Sequence, residues 1–147
     1  MTWLLILVVI AAGALIPLQA GINASLRGAL SSPIYAAVTN FTVGGALLAG
    51  YALLSRTPLP SLAEAAKAPW WNWIGGMMGA GLVLTGVLLS HRLGAATFVA
   101  CIILGQLTSS VLLDHFGLVG FSPHAVTPMR VFGLVLLAAG VYVIRTH

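Results

Sequence analysis

MTWLLILVVIAAGALIPLQAGINASL, residues 1–26, contains no charged side chain before Arg27 closes it. A bilayer hydrocarbon core about 30 Å thick needs about 20 apolar helical residues to cross it, so this stretch reads as a membrane span. Gly28 to Ser55 is likewise uncharged, and Ser31-Ser32-Pro33 near its start reads as an N-cap followed by proline at the first helical position. Arg56 to Pro69 holds three prolines and three of the eight formal charges, Arg56, Glu64 and Lys67. It is an interfacial loop in which residues 61–68 can form a short helix. Trp70, Trp71 and Trp73 follow it, and indole rings favour the headgroup level, so they mark the entry of a third span. His91-Arg92-Leu93-Gly94 leaves room only for a tight turn, which makes the third and fourth spans a hairpin. A Gly/Pro loop after Asp114-His115 leads to a last span beginning at Pro128, with Arg130 one turn inside it and long enough to snorkel outward. The expected architecture is an all-α integral membrane protein with spans over 2–26, 33–55, 70–90, 94–113 and 128–145, forming one transmembrane domain over 1–147.

Composition leads to the same class. Of the 147 residues, 60% are hydrophobic and 5% charged, against about 25% charged in a soluble domain, and the mean hydropathy is +1.08. A soluble domain and a disordered chain are both excluded, the latter because disorder needs low hydrophobicity and high charge. Cys101 is the only cysteine, so no disulfide framework exists. The net charge of +4 comes from six scattered basic residues, which read as interface anchors and not as a nucleic-acid surface. Residues 1–26 lack the basic start and small-residue cleavage site of a secretory signal, so the first helix is expected to persist in the mature protein.

Lys and Arg in the loops normally set orientation, and here they give no bias. Arg56, Lys67 and Arg130 fall on the side of the N-terminus, and Arg27, Arg92 and Arg145 on the other. Either one helix fixes a single orientation regardless, or the chain inserts both ways. In the second case an antiparallel homodimer would reproduce, from two copies, the inverted repeat that larger transporters carry in one chain.

Three strings of polar residues carry a family resemblance: Gln19-Ala20-Gly21-Ile22-Asn23-Ala24-Ser25-Leu26, Trp73-Ile74-Gly75-Gly76, and Gly105-Gln106-Leu107-Thr108-Ser109-Ser110 followed by Asp114-His115-Phe116-Gly117. As a set, spread over nearly the whole chain, they resemble the YdcZ-type branch of the drug/metabolite transporter superfamily. The resemblance implies a bacterial inner-membrane transporter of five spans. It also implies kinship with the small multidrug resistance proteins, where dual-topology dimers, hetero-pairs and fused ten-helix chains occur. Those proteins depend on a glutamate embedded in their first helix, and no such carboxylate stands here: the two acidic residues are Glu64, in a loop, and Asp114, at the end of the fourth span. Recognition of a cation by a central ion pair is therefore disfavoured. A neutral, zwitterionic or anionic small molecule is at least as well suited.

The candidate substrate site is read from amides. Pro17 has no N–H to give to the carbonyl of Gly13, so a hinge is expected at Gly13 and Pro17. Gln19 and Asn23 share one face just past it. Asn40 lies a third of the way into the second span, flanked by Tyr35, Thr39 and Phe41, with Tyr35 and Thr39 on its general face; Gln106 gives the fourth span a similar amide. Gln19, Asn23 and Asn40 are expected to converge on a polar cavity near mid-membrane, bounded by Tyr35 and Phe41 and by the bend at Pro17. The competing reading is that the amides bond between helices as structural glue. Thr97, Cys101, Gly105 and Ser109 on the fourth span, and Gly75 and Gly79 on the third, form small-residue stripes for close packing. Gly133 and Gly140 lie seven apart on the fifth, the first candidate for a dimer seam. Asp114 and His115 are candidates for coupling, or the aspartate pairs with a basic neighbour or caps its loop. The histidines show no ligand spacing, so no metal is expected. No cofactor is implied; the expected partners are a second copy, a small molecule and the lipid bilayer. A transporter leads, ahead of a non-coupled channel or facilitator and a structural or accessory subunit. An enzyme comes last, since only Asp114 could serve catalysis.

Overall fold

A computed structural model of the chain describes residues 2–147. Every regular element among them is helical: α1 (Thr2–Leu30), α2 (Pro33–Leu54), the single turn α3 (Leu62–Ala65), a 3-10 turn at Trp70–Ile74 that runs into α4 (Gly75–Leu93), α5 (Ala95–Phe116), a short 3-10 turn at Leu118–Gly120, and α6 (Pro128–Thr146). Five of these stretches are long and apolar enough to cross a bilayer: Trp3–Leu30, Pro33–Leu54, Trp70–Leu93, Ala95–Phe116 and Pro128–Thr146. Each expected span corresponds to one of these five long apolar helices, with ends displaced.

The displacements share one cause. Charges mark where the hydrocarbon stops, whereas a helix stops where its backbone turns. α1 continues past Arg27, a good helix former, until Ser31 takes a left-handed φ of 51° and its N–H reaches back to the Gly28 carbonyl at 3.4 Å. α4 likewise keeps His91, Arg92 and Leu93 helical, and the break is confined to Gly94 at φ 80°. No Cβ-bearing residue occupies that region without strain, so the four-residue turn expected here narrows to one glycine. α1 also runs through Pro17 as one continuous helix.

Apolar side chains point outward. Leu4, Leu7, Val9, Leu47 and Leu54 are all exposed, and among the described residues the buried apolar side chains are just Ala24, Ala36, Val87 and Phe98. In water such a surface would not survive. In a bilayer it is the solvated face, because lipid tails are as apolar as leucine and give no hydrophobic reason to hide it.

The chain divides into two compact units, one ending at Arg92 and one comprising Leu93–His147. In the first, α1 and α2 pack as a hairpin joined by Ser31 and Ser32. Ser32 caps α2 by accepting the Tyr35 N–H on its hydroxyl at 3.3 Å, and Pro33 opens the helix, as the Ser-Ser-Pro string predicts. Ala24 and Ala36 are buried; small residues at these positions let paired membrane helices approach closely. In the second unit α5 packs on α6. Their connection is tied down at both ends: the Asp114 carbonyl accepts the His124 N–H at 2.7 Å, and Thr127 caps α6 by accepting the Arg130 N–H.

A candidate substrate site built from three amides

α1 is 29 residues long, about 43 Å at 1.5 Å per residue, and so overshoots a 30 Å core by about 13 Å. From Trp3 to Leu18 it is apolar, so the excess belongs at the polar end, where Arg27 sits three residues from the terminus. Asn23 lies seven residues before Leu30, and Asn40 seven after Pro33. In an antiparallel hairpin with a two-residue turn these positions fall level, about 10 Å from the helix ends. Gln19 is one turn deeper.

The three amides meet at one atom. Asn40 Oδ1 accepts from Gln19 Nε2 at 3.1 Å and from Asn23 Nδ2 at 3.3 Å. Asn23 is 5% exposed, Asn40 is half-buried and Gln19 is exposed, so the cluster runs from the packed interior to an open side. The three amides come together as their spacing predicts, but toward the Leu30–Pro33 end of the hairpin and not midway along it. Each amide carries two N–H donors and an oxygen with two lone pairs. The two hydrogen bonds engage one donor of Gln19, one of Asn23 and the oxygen of Asn40. Both donors of Asn40, and the oxygens of Gln19 and Asn23, have no protein partner among the described residues.

The surroundings differ from the expected polar cavity. A groove of about 430 Å³ opens between α2 and α4, lined by Ile34, Ala37, Val38, Phe41, Thr42, Ala80, Gly81 and Leu84. It is apolar. Thr42, its one hydroxyl, is turned back onto the Val38 carbonyl at 2.9 Å. Phe41 borders this groove and crosses to α4, where a Cβ added at Gly79 would sit 3.6 Å from its ring; the Gly79 stripe thus receives an aromatic ring. Tyr35 stands apart. Five residues from Asn40, it lies about 140° around the helix, and it is 66% exposed and lines neither feature.

The remaining candidates lie elsewhere. Gln106 is exposed on α5, in the second unit, with no side-chain partner among the described residues; its neighbour Thr108 bonds back to the Leu104 carbonyl. Asp114 Oδ2 faces Arg130 Nη1 at 3.3 Å, the reading in which the aspartate pairs with a basic neighbour. Arg130 therefore does not simply snorkel outward. His115 Nδ1 accepts the Val126 N–H at 3.2 Å, so both side chains help close the α5–α6 loop. Gly133 and Gly140 have nothing within 4 Å of an added Cβ.

Two features escaped the sequence reading. One is Arg27, which serves there as a boundary marker and an orientation charge yet turns its Nη1 to the Val87 carbonyl of α4 at 3.4 Å. The other is Ser90, 7% exposed, whose hydroxyl has no hydrogen-bond partner among the described residues. The signal for Arg27 was present in the four-residue spacing of Gln19, Asn23 and Arg27, which puts a cation on the amide face; no spacing singled out Ser90.

Comparison with known proteins agrees with this architecture. The family described as "Putative inner membrane exporter, YdcZ" matches residues 4–143. No curated protein and no solved structure matches the chain significantly. With its five apolar helices and a match that spans all but the ends, the chain belongs to the YdcZ family of inner membrane exporters.

Proposed function

We propose that the protein moves a small polar or amphipathic molecule by alternating access, and that Gln19, Asn23 and Asn40 form its substrate site. The observation that supports this is the shared Asn40 oxygen: two amides converge on it while most of the donor and acceptor capacity of the cluster stays unspent. Asn23 and Asn40 lie about 10 Å in from the helix ends, and polar groups of membrane helices usually face the protein interior or a water path. A cluster that satisfied itself fully would need no ligand; this one presents donors and acceptors beside an apolar groove, the mixture that suits an amphipathic guest. Pro17, two residues before Gln19, supplies a point of flexure beside the cluster. The working unit is an antiparallel homodimer with α6 at the seam, its support the balanced charges and the open faces of Gly133 and Gly140.

The same hydrogen bonds would serve a purely structural clamp, so the test must separate the two. The metabolite that most raises the unfolding temperature of the purified protein is assayed for counterflow in vesicles. Asn23→Ala and Asn40→Ala should cut its flux at least tenfold while expression and dimerisation hold. If flux per folded molecule is unchanged, the amides are glue and the path lies along the Gln106 face of α5.

A further inference from the structure

Arg27 is a cation with no carboxylate beside it. Of the two acidic residues in the chain, Asp114 is engaged by Arg130, and Glu64 lies in the single turn α3. The guanidinium has five N–H donors, and its one protein contact, to the Val87 carbonyl, is long at 3.4 Å. It is half-buried and directed at α4, not at the lipid.

Ser90 stands three residues beyond Val87, on the same face of α4. Its hydroxyl is buried without a partner. Thr42, Thr85, Thr108 and Thr146 all settle theirs on the carbonyl four residues back; Ser90 does not. A buried hydroxyl left unmade is destabilising, so this donor calls for an acceptor the protein does not supply. Charge at this end points the same way. Arg27 lies in the last turn of α1, and His91 and Arg92 lie in the last turn of α4. Two helix C-termini contribute about half a negative charge each, and the N-terminus of α2 returns about half a positive one, so the mouth stays positive.

We infer that Arg27 and Ser90 form an oxyanion site at the mouth of the amide ladder, and that the substrate is a small organic anion, a carboxylate or phosphate ester. Resting on the transport reading, this names its substrate class. The anionic group binds the free guanidinium donors and the Ser90 hydroxyl. Asn23 and Gln19, at successive four-residue steps along the same face of α1, take the polar body of the molecule deeper.

The test uses purified full-length protein in neutral maltoside detergent, with thermal unfolding as the readout. Acetate, benzoate and inorganic phosphate are compared with the uncharged acetamide and benzamide and the cation benzamidinium. At least one oxyanion should stabilise the protein where its neutral and cationic counterparts do not. Arg27→Gln should weaken that response about tenfold, and Ser90→Ala about threefold, with Arg27→Lys retaining part of it. No response to any of the three oxyanions, an equal response to benzamide, or an unaltered response in Arg27→Gln would each overturn the assignment. Added phosphatidylglycerol separates the sources: stabilisation through Arg27 by that lipid alone means a headgroup site and no substrate site. Solvent access to Asn40 decides the transport reading independently. A dry amide cluster with an Arg27-dependent oxyanion response would overturn transport and keep this site; a wet cluster with no such response would do the reverse.

Discussion

Asn40 carries more of this structure than either of its partners, because its oxygen serves two donors. Asn40→Ala leaves the amides of both Gln19 and Asn23 without that acceptor, whereas Gln19→Ala removes one hydrogen bond at the exposed edge. Interhelical hydrogen bonds in membranes average about 0.6 kcal/mol, so Asn40→Ala should cost about 1 kcal/mol or slightly more, and Gln19→Ala about half that, in detergent unfolding. Ser31 offers a change of opposite sign. At φ 51° it bears the left-handed penalty of about 1 kcal/mol that glycine escapes, and Ser31→Gly should raise the unfolding temperature without touching the site. The i, i+4 pairing of Gln19 with Asn23 is legible in the sequence, since it depends only on helical period. Their meeting with Asn40 depends on the length of the turn, and it becomes readable only once that turn is placed at Ser31 and Ser32. The inward direction of Arg27 was hidden because a basic residue ending an apolar run looks the same whether it faces lipid headgroups or a neighbouring helix.

The elements themselves follow closely from charge and hydropathy, and their ends do not, because caps and left-handed residues end helices wherever the charges lie. α5 shows this. Asp114 marks the membrane edge, yet the helix runs on to Phe116 and stops at Gly117, φ 60°, where an added Cβ would come 2.8 Å from Pro123 Cγ. Gly117→Ala should therefore destabilise the α5–α6 connection by about 2 kcal/mol, from backbone strain and the clash together. Gly117→Ala combined with Pro123→Ala should recover the steric share, and thermal unfolding of the two variants separates the terms. The Asp114–Arg130 pair closes the same loop, but both side chains are about one third exposed. Solvent screening holds such a pair to less than about 1 kcal/mol, so Asp114→Asn should leave stability nearly unchanged.

At the scale of the whole molecule, the equal division of six basic residues between the two sides is the feature with the widest consequence. Reporter tags at the C-terminus should be found on both faces of the membrane. Chains locked one way by two or three added lysines should be inactive alone and active when mixed with chains locked the other way. Gly133→Leu and Gly140→Leu should dissociate the dimer in detergent; an unchanged dimer would move the seam to the small-residue stripe of α5 or α4. Neither assembly nor substrate can be read from one chain's hydropathy, because both depend on surfaces that the pattern of apolar residues leaves equivalent. The central claim, that the three amides line a water-filled path and are not a dry clamp, can be tested without knowing the substrate. Cys101 is the only cysteine, so Cys101→Ser gives a background into which Asn40→Cys can be placed. In vesicles, a charged, membrane-impermeant thiosulfonate should label Cys at position 40, faster than it labels Cys at the lipid-facing position Leu47. Labelling no faster than at Leu47, with the protein folded, would mean that the amides are sealed from water and would contradict the account.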